Sequence, residues 1–252
     1  MNVALYNSYA GNCKVIPMKK ILISGASSGI GRGLTEALLK ADYKVIGLAR
    51  DHLKFNPPNA NYFPYAMDFS NILQLEPSLQ TLKKSHKDVE IVVCCAGYGQ
   101  FGEIEQFSVA QLQNMLHVNF LSQIILIKTF LPLLKRKQKG KIIVLGSECA
   151  LEGSKKAAMY CATKFALRGF CQSLRQECRT AGVGVTLINP GLVKTPFFKK
   201  LNFEPTDEKN SSLKVEDVVN CLLLTIQTPD NCVVEEINLQ PLRARVRQKS
   251  SK

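Results

Sequence analysis

The stretch Ile21-Leu22-Ile23-Ser24-Gly25-Ala26-Ser27-Ser28-Gly29-Ile30-Gly31 decides the fold. A short β-branched run ends in a glycine-rich turn, and the turn opens directly into Ile30, Leu34, Ala37, Leu38 and Ala41 at helical spacing. Glycines at this junction permit a tight turn and the close approach of another backbone. The helix that follows aims free amide groups and its positive dipole end at whatever sits on the turn. A phosphate suits such a place, so the stretch reads either as a dinucleotide-binding turn or as a structural strand-to-helix corner.

Outward from that turn, strand and helix signals alternate. Ile21–Ser24, Val45–Ala49, Tyr62–Met67, Ile91–Cys95, Ile142–Leu145, Val185–Asn189 and Val233–Leu239 read as strands. Leu112, Met115, Leu116 and Asn119 recur at helical spacing, as do Tyr160, Lys164, Leu167, Phe170, Cys171 and Leu174. Parallel strands need crossover helices. The expectation is therefore an α/β fold: a single doubly wound Rossmann-type domain over residues 18–242, with a mainly parallel seven-stranded sheet and helices on both faces. Residues 1–17 are polar and aperiodic and read as an extension outside the core, with Met18 as an alternative start; residues 243–252 form a basic C-terminal tail. The segment from Leu192 to Leu213, with Pro196, Pro205 and a polar stretch, is the long interruption and reads as a mobile connection or a substrate cover.

Composition narrows the function classes. With 252 residues, 46% hydrophobic and 21% charged, the chain is neither disordered, collagenous nor membrane-embedded, and it can bury a core without disulfide or metal staples. A formal charge of +13 favours anionic ligands without choosing among them. Part of the surplus lies in Lys135, Arg136, Lys137, Lys139 and Lys141, and part in Arg243, Arg245, Arg247, Lys249 and Lys252. Neither run has interleaved aromatics, so they read as a solvated helix end and a frayed tail rather than a nucleic-acid or membrane patch. The nine cysteines include no Cys-x-x-Cys pair, and His52, His86 and His117 are scattered, so no metal site is expected. Reduced thiols and the lack of a basic, then apolar, leader pattern point to the cytoplasm. The most apolar segment, Leu121 to Leu134, is short for a membrane span and is broken by Gln123 and Lys128.

The chemistry lies further along. Tyr160-Cys161-Ala162-Thr163-Lys164 puts a phenol and an ammonium four residues apart on one helical face. A free phenol has a pKa of about 10, and a neighbouring cation favours its ionised form. Taken alone, such a pair also arises readily on any amphipathic helix. Ser147, at the end of the fifth expected strand, lies 160 − 147 = 13 residues before the tyrosine, where its hydroxyl could hold a substrate carbonyl or merely close a strand.

The turn spacing Gly25-x-x-x-Gly29-x-Gly31, the serine and the Tyr160-x-x-x-Lys164 pair, in this order over residues 20 to about 240, resemble the short-chain dehydrogenase/reductase family. The resemblance implies hydride transfer between NADP(H) and a carbonyl or secondary alcohol. Tyr160 would be the general acid/base, assisted by Lys164, Ser147 and Asn119, the last steadying a water beside the lysine. Gly25, Ser27, Ser28, Gly29, Ile30 and Gly31 would hold the cofactor. Arg50 would meet a 2′-phosphate, since Ala49 stands where NAD-preferring relatives carry an acid; NAD(H) remains the alternative cofactor, and Asp51 is either a helix cap or a ribose acceptor. Asp68 matches the residue that contacts adenine, or else caps a turn. Ala96 and Gly97 close Cys94-Cys95-Ala96-Gly97, which replaces the family's Asn-Asn-Ala-Gly and puts that pair's usual sheet-stabilising hydrogen bonds in question. Pro190, Gly191, Val193 and Thr195 would pack on the nicotinamide. Lys155 and Lys156 are a solvated pair or steer an anionic substrate, and Val234 to Pro241 loosely matches members acting on 3-hydroxy acids and small carbonyls, with lipid or acyl-carrier ketones also open. The expected partners are a small carbonyl or alcohol and further copies of the chain, as a homodimer or homotetramer; neither nucleic acid nor membrane is expected. The contrasting alternative is an NADP(H)-binding regulatory or sensor protein acting through its basic tail.

Overall fold

The computed structural model describes residues 19–249; the extension 1–17, the start at Met18, Cys13 and residues 250–252 lie outside the described residues. Apolar side chains alternate across the central strands and feed two cores. In β1 (Lys20–Ser24), Leu22 packs to one side while Ile21 and Ile23 pack to the other. In β4 (Val89–Cys94) and β5 (Gly140–Leu145) the same division holds, with Val92 and Ile142 on the first side and Val93 and Ile143 on the second. Strands buried on both faces need helices on both faces. On the first side lie α2 (Ile72–Ser85), α3 (Val109–Leu116), α4 (Ser122–Lys137) and α5 (Ala158–Cys178); on the second, α1 (Gly29–Lys40) packs beside α6 (Val215–Gln227).

With β2 (Lys44–Ala49), β3 (Tyr62–Ala66), β6 (Val183–Pro190) and β8 (Glu236–Leu239), the strands form a seven-stranded sheet in the order β3-β2-β1-β4-β5-β6-β8. Every pairing in it is parallel. The order reverses direction between β1 and β4, and at that switch point a doubly wound sheet leaves a crevice beyond its carboxyl ends. The expected fold class stands.

Several elements differ from the sequence expectation. The last sheet strand is Glu236–Leu239 rather than Val233–Leu239; just before it, Val234 O accepts from Thr186 Oγ1 at 2.6 Å, and Glu235 O accepts from Arg175 Nη2 at 2.6 Å as well as from the Leu187 amide of β6 at 3.1 Å. Helices α2 and α6 carried no singled-out periodicity, and α2 holds Pro77 in its second turn. The apolar run from Leu121 to Leu134 belongs to one longer helix, Val109–Lys137, through a π-helical turn at His117–Leu121. By length and hydropathy alone that helix could cross a membrane, but Leu126, Phe130 and Leu134 are spent against the sheet. Lys141 is no solvated helix-end charge: it is buried in β5 and donates to the carbonyls of Thr225 and Thr228, closing the C-terminus of α6.

The tail is not frayed over its described length. Residues Val246–Gln248 form β9, which pairs antiparallel with β7 (Phe203–Pro205) inside the long Leu192–Leu213 segment. That segment also contains a 3₁₀ turn, Pro196–Lys200, capped by Thr195.

Candidate active site

The carboxyl edge of the sheet collects the chemistry-bearing residues: the glycine turn, Arg50, Asp68, Ala96, Gly97, Ser147 and residues 190–195 lie at or just past strand ends, while Tyr160 and Lys164 come from the start of α5 and Asn119 from the π-helical turn before α4. Gly25 follows β1 at φ +72° and Gly29 opens α1 at φ +53°, in the region where side chains other than glycine are strained. A Cβ on Gly31 would sit 2.3 Å from the carbonyl oxygen of Gly25, so the turn closes only around glycine there. The first turn of α1 has no acidic residue, and its N-cap, Ser28, makes no side-chain cap bond, which leaves the amides at the helix start free of a side-chain acceptor. This cradle suits a pyrophosphate.

Across the turn, Ala96 lies against Gly25, with its Cα 3.1 Å from the position a Gly25 Cβ would take. The junction is tied by two residues that the motif comparison passes over. Ser24 Oγ accepts from the amides of Cys95 (3.0 Å) and Ala96 (3.1 Å) and donates to Gln123 Oε1 (3.3 Å), while Gln123 Nε2 returns a bond to Ala96 O at 3.0 Å. These bonds bridge β1, β4 and α4 where the Asn-Asn pair is replaced by Cys94 and Cys95. Gln123 shows in the sequence only as a polar break in an apolar helix.

A cavity of about 820 Å³ opens at this edge. Ile30 and Gly97 line its cofactor-turn side, Pro190, Gly191, Val193 and Thr195 its far side, and Ser147, Tyr160 and Lys164 its floor. Thr195 stands 3.5 Å from the Cβ position of Gly29, so the β6 turn closes down on the glycine turn. Arg50 and Asp68 lie outside the cavity, exposed at the ends of β2 and β3. Asp68 accepts from the amide and hydroxyl of Ser70, which with the nearby Arg50 guanidinium holds its carboxyl below the usual range against some desolvation. The helix cap of α2 is Asn71, and Asp51 accepts the Leu53 amide at 2.8 Å, so both acids sit in local turns.

Tyr160 is buried between Phe101, at 5.2 Å between ring centres, and Phe197, at 6.0 Å. Burial pushes its phenol well above the ordinary range; the Cys149 thiol adds to this, and the Ser147 hydroxyl works the other way. Lys164 Nζ lies 5.8 Å from the centre of the Tyr160 ring, donates to Leu145 O at 3.1 Å, and is pushed down to about 8 by burial. In the protein alone, desolvation by burial is the largest influence on the phenol. The neighbouring thiols of Cys95 and Cys149 are each pushed up to about 12, again chiefly by burial, and are neutral wall. Ser147 is held by its own amide, which donates to Asn189 Oδ1 at 3.3 Å.

Asn119 is fully buried in the π-helical turn. Its Oδ1 accepts the Tyr98 amide and its Nδ2 donates to the Tyr98 carbonyl, both at 2.9 Å, so the side chain clamps the loop after β4. The same Oδ1 approaches Gly97 to 3.2 Å of a Cβ position that is 4.0 Å from Lys164 Nζ. The aromatic wall of Phe101, Phe197 and Phe203 had no signature in the sequence, because Phe101 follows β4 while Phe197 and Phe203 lie far along the chain in the Leu192–Leu213 segment.

Known proteins resemble this chain in sequence and fold. Retinol dehydrogenase 8 of Homo sapiens is 35% identical over 191 residues, covering 73% of this chain and 61% of that protein. An uncharacterized oxidoreductase of Staphylococcus epidermidis is 27% identical over 228 residues, covering 89% of this chain and 97% of its own length. Among solved structures, an alcohol dehydrogenase from the archaeon Thermococcus sibiricus, complexed with 5-hydroxy-NADP, superposes with a TM-score of 0.79 at 27% identity over 90% of this chain and 98% of that one. The family model described as short chain dehydrogenase matches residues 19–205, a span that holds the glycine turn, Ser147, Tyr160 and Lys164 together. The chain belongs to the short-chain dehydrogenase family.

Proposed function

We propose that the protein is an NADP(H)-dependent oxidoreductase that interconverts a carbonyl compound and a secondary alcohol. The carrying observation is that Tyr160, Ser147 and Lys164 open into the same cavity as Ile30 and Gly97 of the cofactor edge. The glycine cradle, the uncapped start of α1 and the exposed Arg50 fit a dinucleotide with a 2′-phosphate, and the NADP derivative bound by the archaeal alcohol dehydrogenase supports the same choice. When bound, the nicotinamide supplies the hydride in reduction and accepts it in oxidation.

The chain's own residues manage the oxygen. Ser147 Oγ donates a hydrogen bond that orients the substrate carbonyl toward Tyr160. Tyr160, kept neutral by burial, gives its proton to the carbonyl oxygen as that oxygen gains charge, so no alkoxide is left in the apolar pocket. The Lys164 ammonium then lies close enough to stabilise the phenolate left behind, and in oxidation each proton step reverses. Asn119 serves as a positioning residue, holding the Tyr98 loop and Gly97 against the lysine.

The test is NADPH oxidation against a panel of ketones, aldehydes and 3-oxo acids, repeated with NADH. The expected result is turnover with NADPH, and in Arg50→Ala a loss of NADPH affinity of about tenfold or more with NADH affinity unchanged. Equal use of both cofactors by the unaltered protein would overturn the NADP assignment, and no turnover with any carbonyl would overturn the reaction.

A further inference from the structure

Three cations of the basic tail, Arg245, Arg247 and Lys249, are spent on the cavity cover. Arg247 pairs with Glu204 at 2.8 Å and Asp207 at 2.8 Å, Arg245 with Glu208 at 2.8 Å, and Lys249 bonds the carbonyl of Phe198. Backbone bonds run beside these pairs: Thr206 N donates to Arg245 O at 3.1 Å and Lys249 N to Asn202 O at 2.7 Å. Strand alternation then settles what the other side of the tail does. While the odd-numbered residues clasp the cover, Ala244, Val246 and Gln248 line the cavity. Gln248 pairs with Phe203 in the β7–β9 register, and Phe203 packs on Phe101 at 5.1 Å, whose ring in turn lies 5.2 Å from that of Tyr160. A continuous aromatic wall thus runs from the proposed proton donor to the tail.

We infer that the β7–β9 strand pair is the specificity-determining wall of the substrate pocket, and that it selects carbonyl compounds with a flat, apolar body. Phe101, Phe203 and Val246 offer ring-sized apolar contact, so a ring system would bury area here that a small ketone cannot reach. The tail is then part of the pocket rather than a partner-binding arm. The inference rests on the proposed carbonyl chemistry for its substrate class, but its binding arm can be read without turnover.

Prodan, a fluorescent naphthyl ketone, serves as the bulky probe and butanone as the small one. Prodan binding, followed by its emission shift in the presence of NADP+, is expected to weaken by about tenfold or more on truncation after Arg243 and in Arg247→Glu. Arg247→Lys, which keeps a cation facing both Glu204 and Asp207, is expected to hold affinity to within about threefold of the unaltered protein, which separates the clasp from a general folding defect. Butanone reduction should stay within about threefold of the unaltered protein throughout, since Tyr160, Ser147 and Lys164 are untouched. Prodan affinity unchanged by truncation, or equal losses for Prodan and butanone, would overturn the inference. Prodan binding that follows this pattern without reduction of either ketone would overturn the proposed reaction while leaving the wall in place.

Discussion

Burial drives Tyr160 and Lys164 both toward neutrality, lifting the phenol and lowering the ammonium to about 8. For ketone reduction this is a serviceable pairing, because the acid form of tyrosine persists across the neutral range while lysine still carries its proton below about pH 8. The sign follows directly: lysine is charged below its pKa and uncharged above it. We therefore expect kcat/KM for reduction to be flat through neutrality and to fall about tenfold per pH unit above about 8. Lys164→Arg keeps a cation at all accessible pH values, and its falling limb should move beyond about pH 10. A limb that stays in place in that variant would assign the titration to another group. The sequence displays the four-residue spacing of this pair but not its desolvation, since Phe101 and Phe197, which cover the tyrosine, lie far from it along the chain.

Among elements, the junction of β1, β4 and α4 shows how a missing motif is replaced. Ser24 and Gln123 hold the amides and carbonyl that the Cys94-Cys95 pair cannot, with all partners within 3.3 Å. Ser24→Ala leaves two amides and a glutamine oxygen without their partner, so a loss of about 1–3 kcal/mol in urea unfolding is expected, with weaker NADPH binding because Ala96 borders the glycine turn. Unchanged stability and cofactor affinity would show the bridge to be idle. The strands, the glycine turn and the helix after it were legible because period-two and period-3.6 patterns meet at Ser24 to Gly31. The short β7 and β9 were not, for three-residue strands exist only through their long-range pairing and the ion pairs beside it. The same long-range logic hid Lys141, whose acceptors lie some 84 residues away on α6.

For the whole molecule, the parallel sheet explains why residues scattered from Gly25 to Thr195 meet. Most end a strand at one edge, on either side of the reversal between β1 and β4, and α5 brings Tyr160 and Lys164 to the same edge. The fold was therefore readable from motif order, whereas the shape of the cavity depends on loops and on the tail folding back over them. The proposed role of the buried, neutral phenol at position 160 as proton donor is tested by NADPH oxidation in Tyr160→Phe, measured beside its NADPH affinity. Turnover is expected to fall by about 100- to 10,000-fold with affinity held within about twofold; turnover within about tenfold of the unaltered protein would contradict that role.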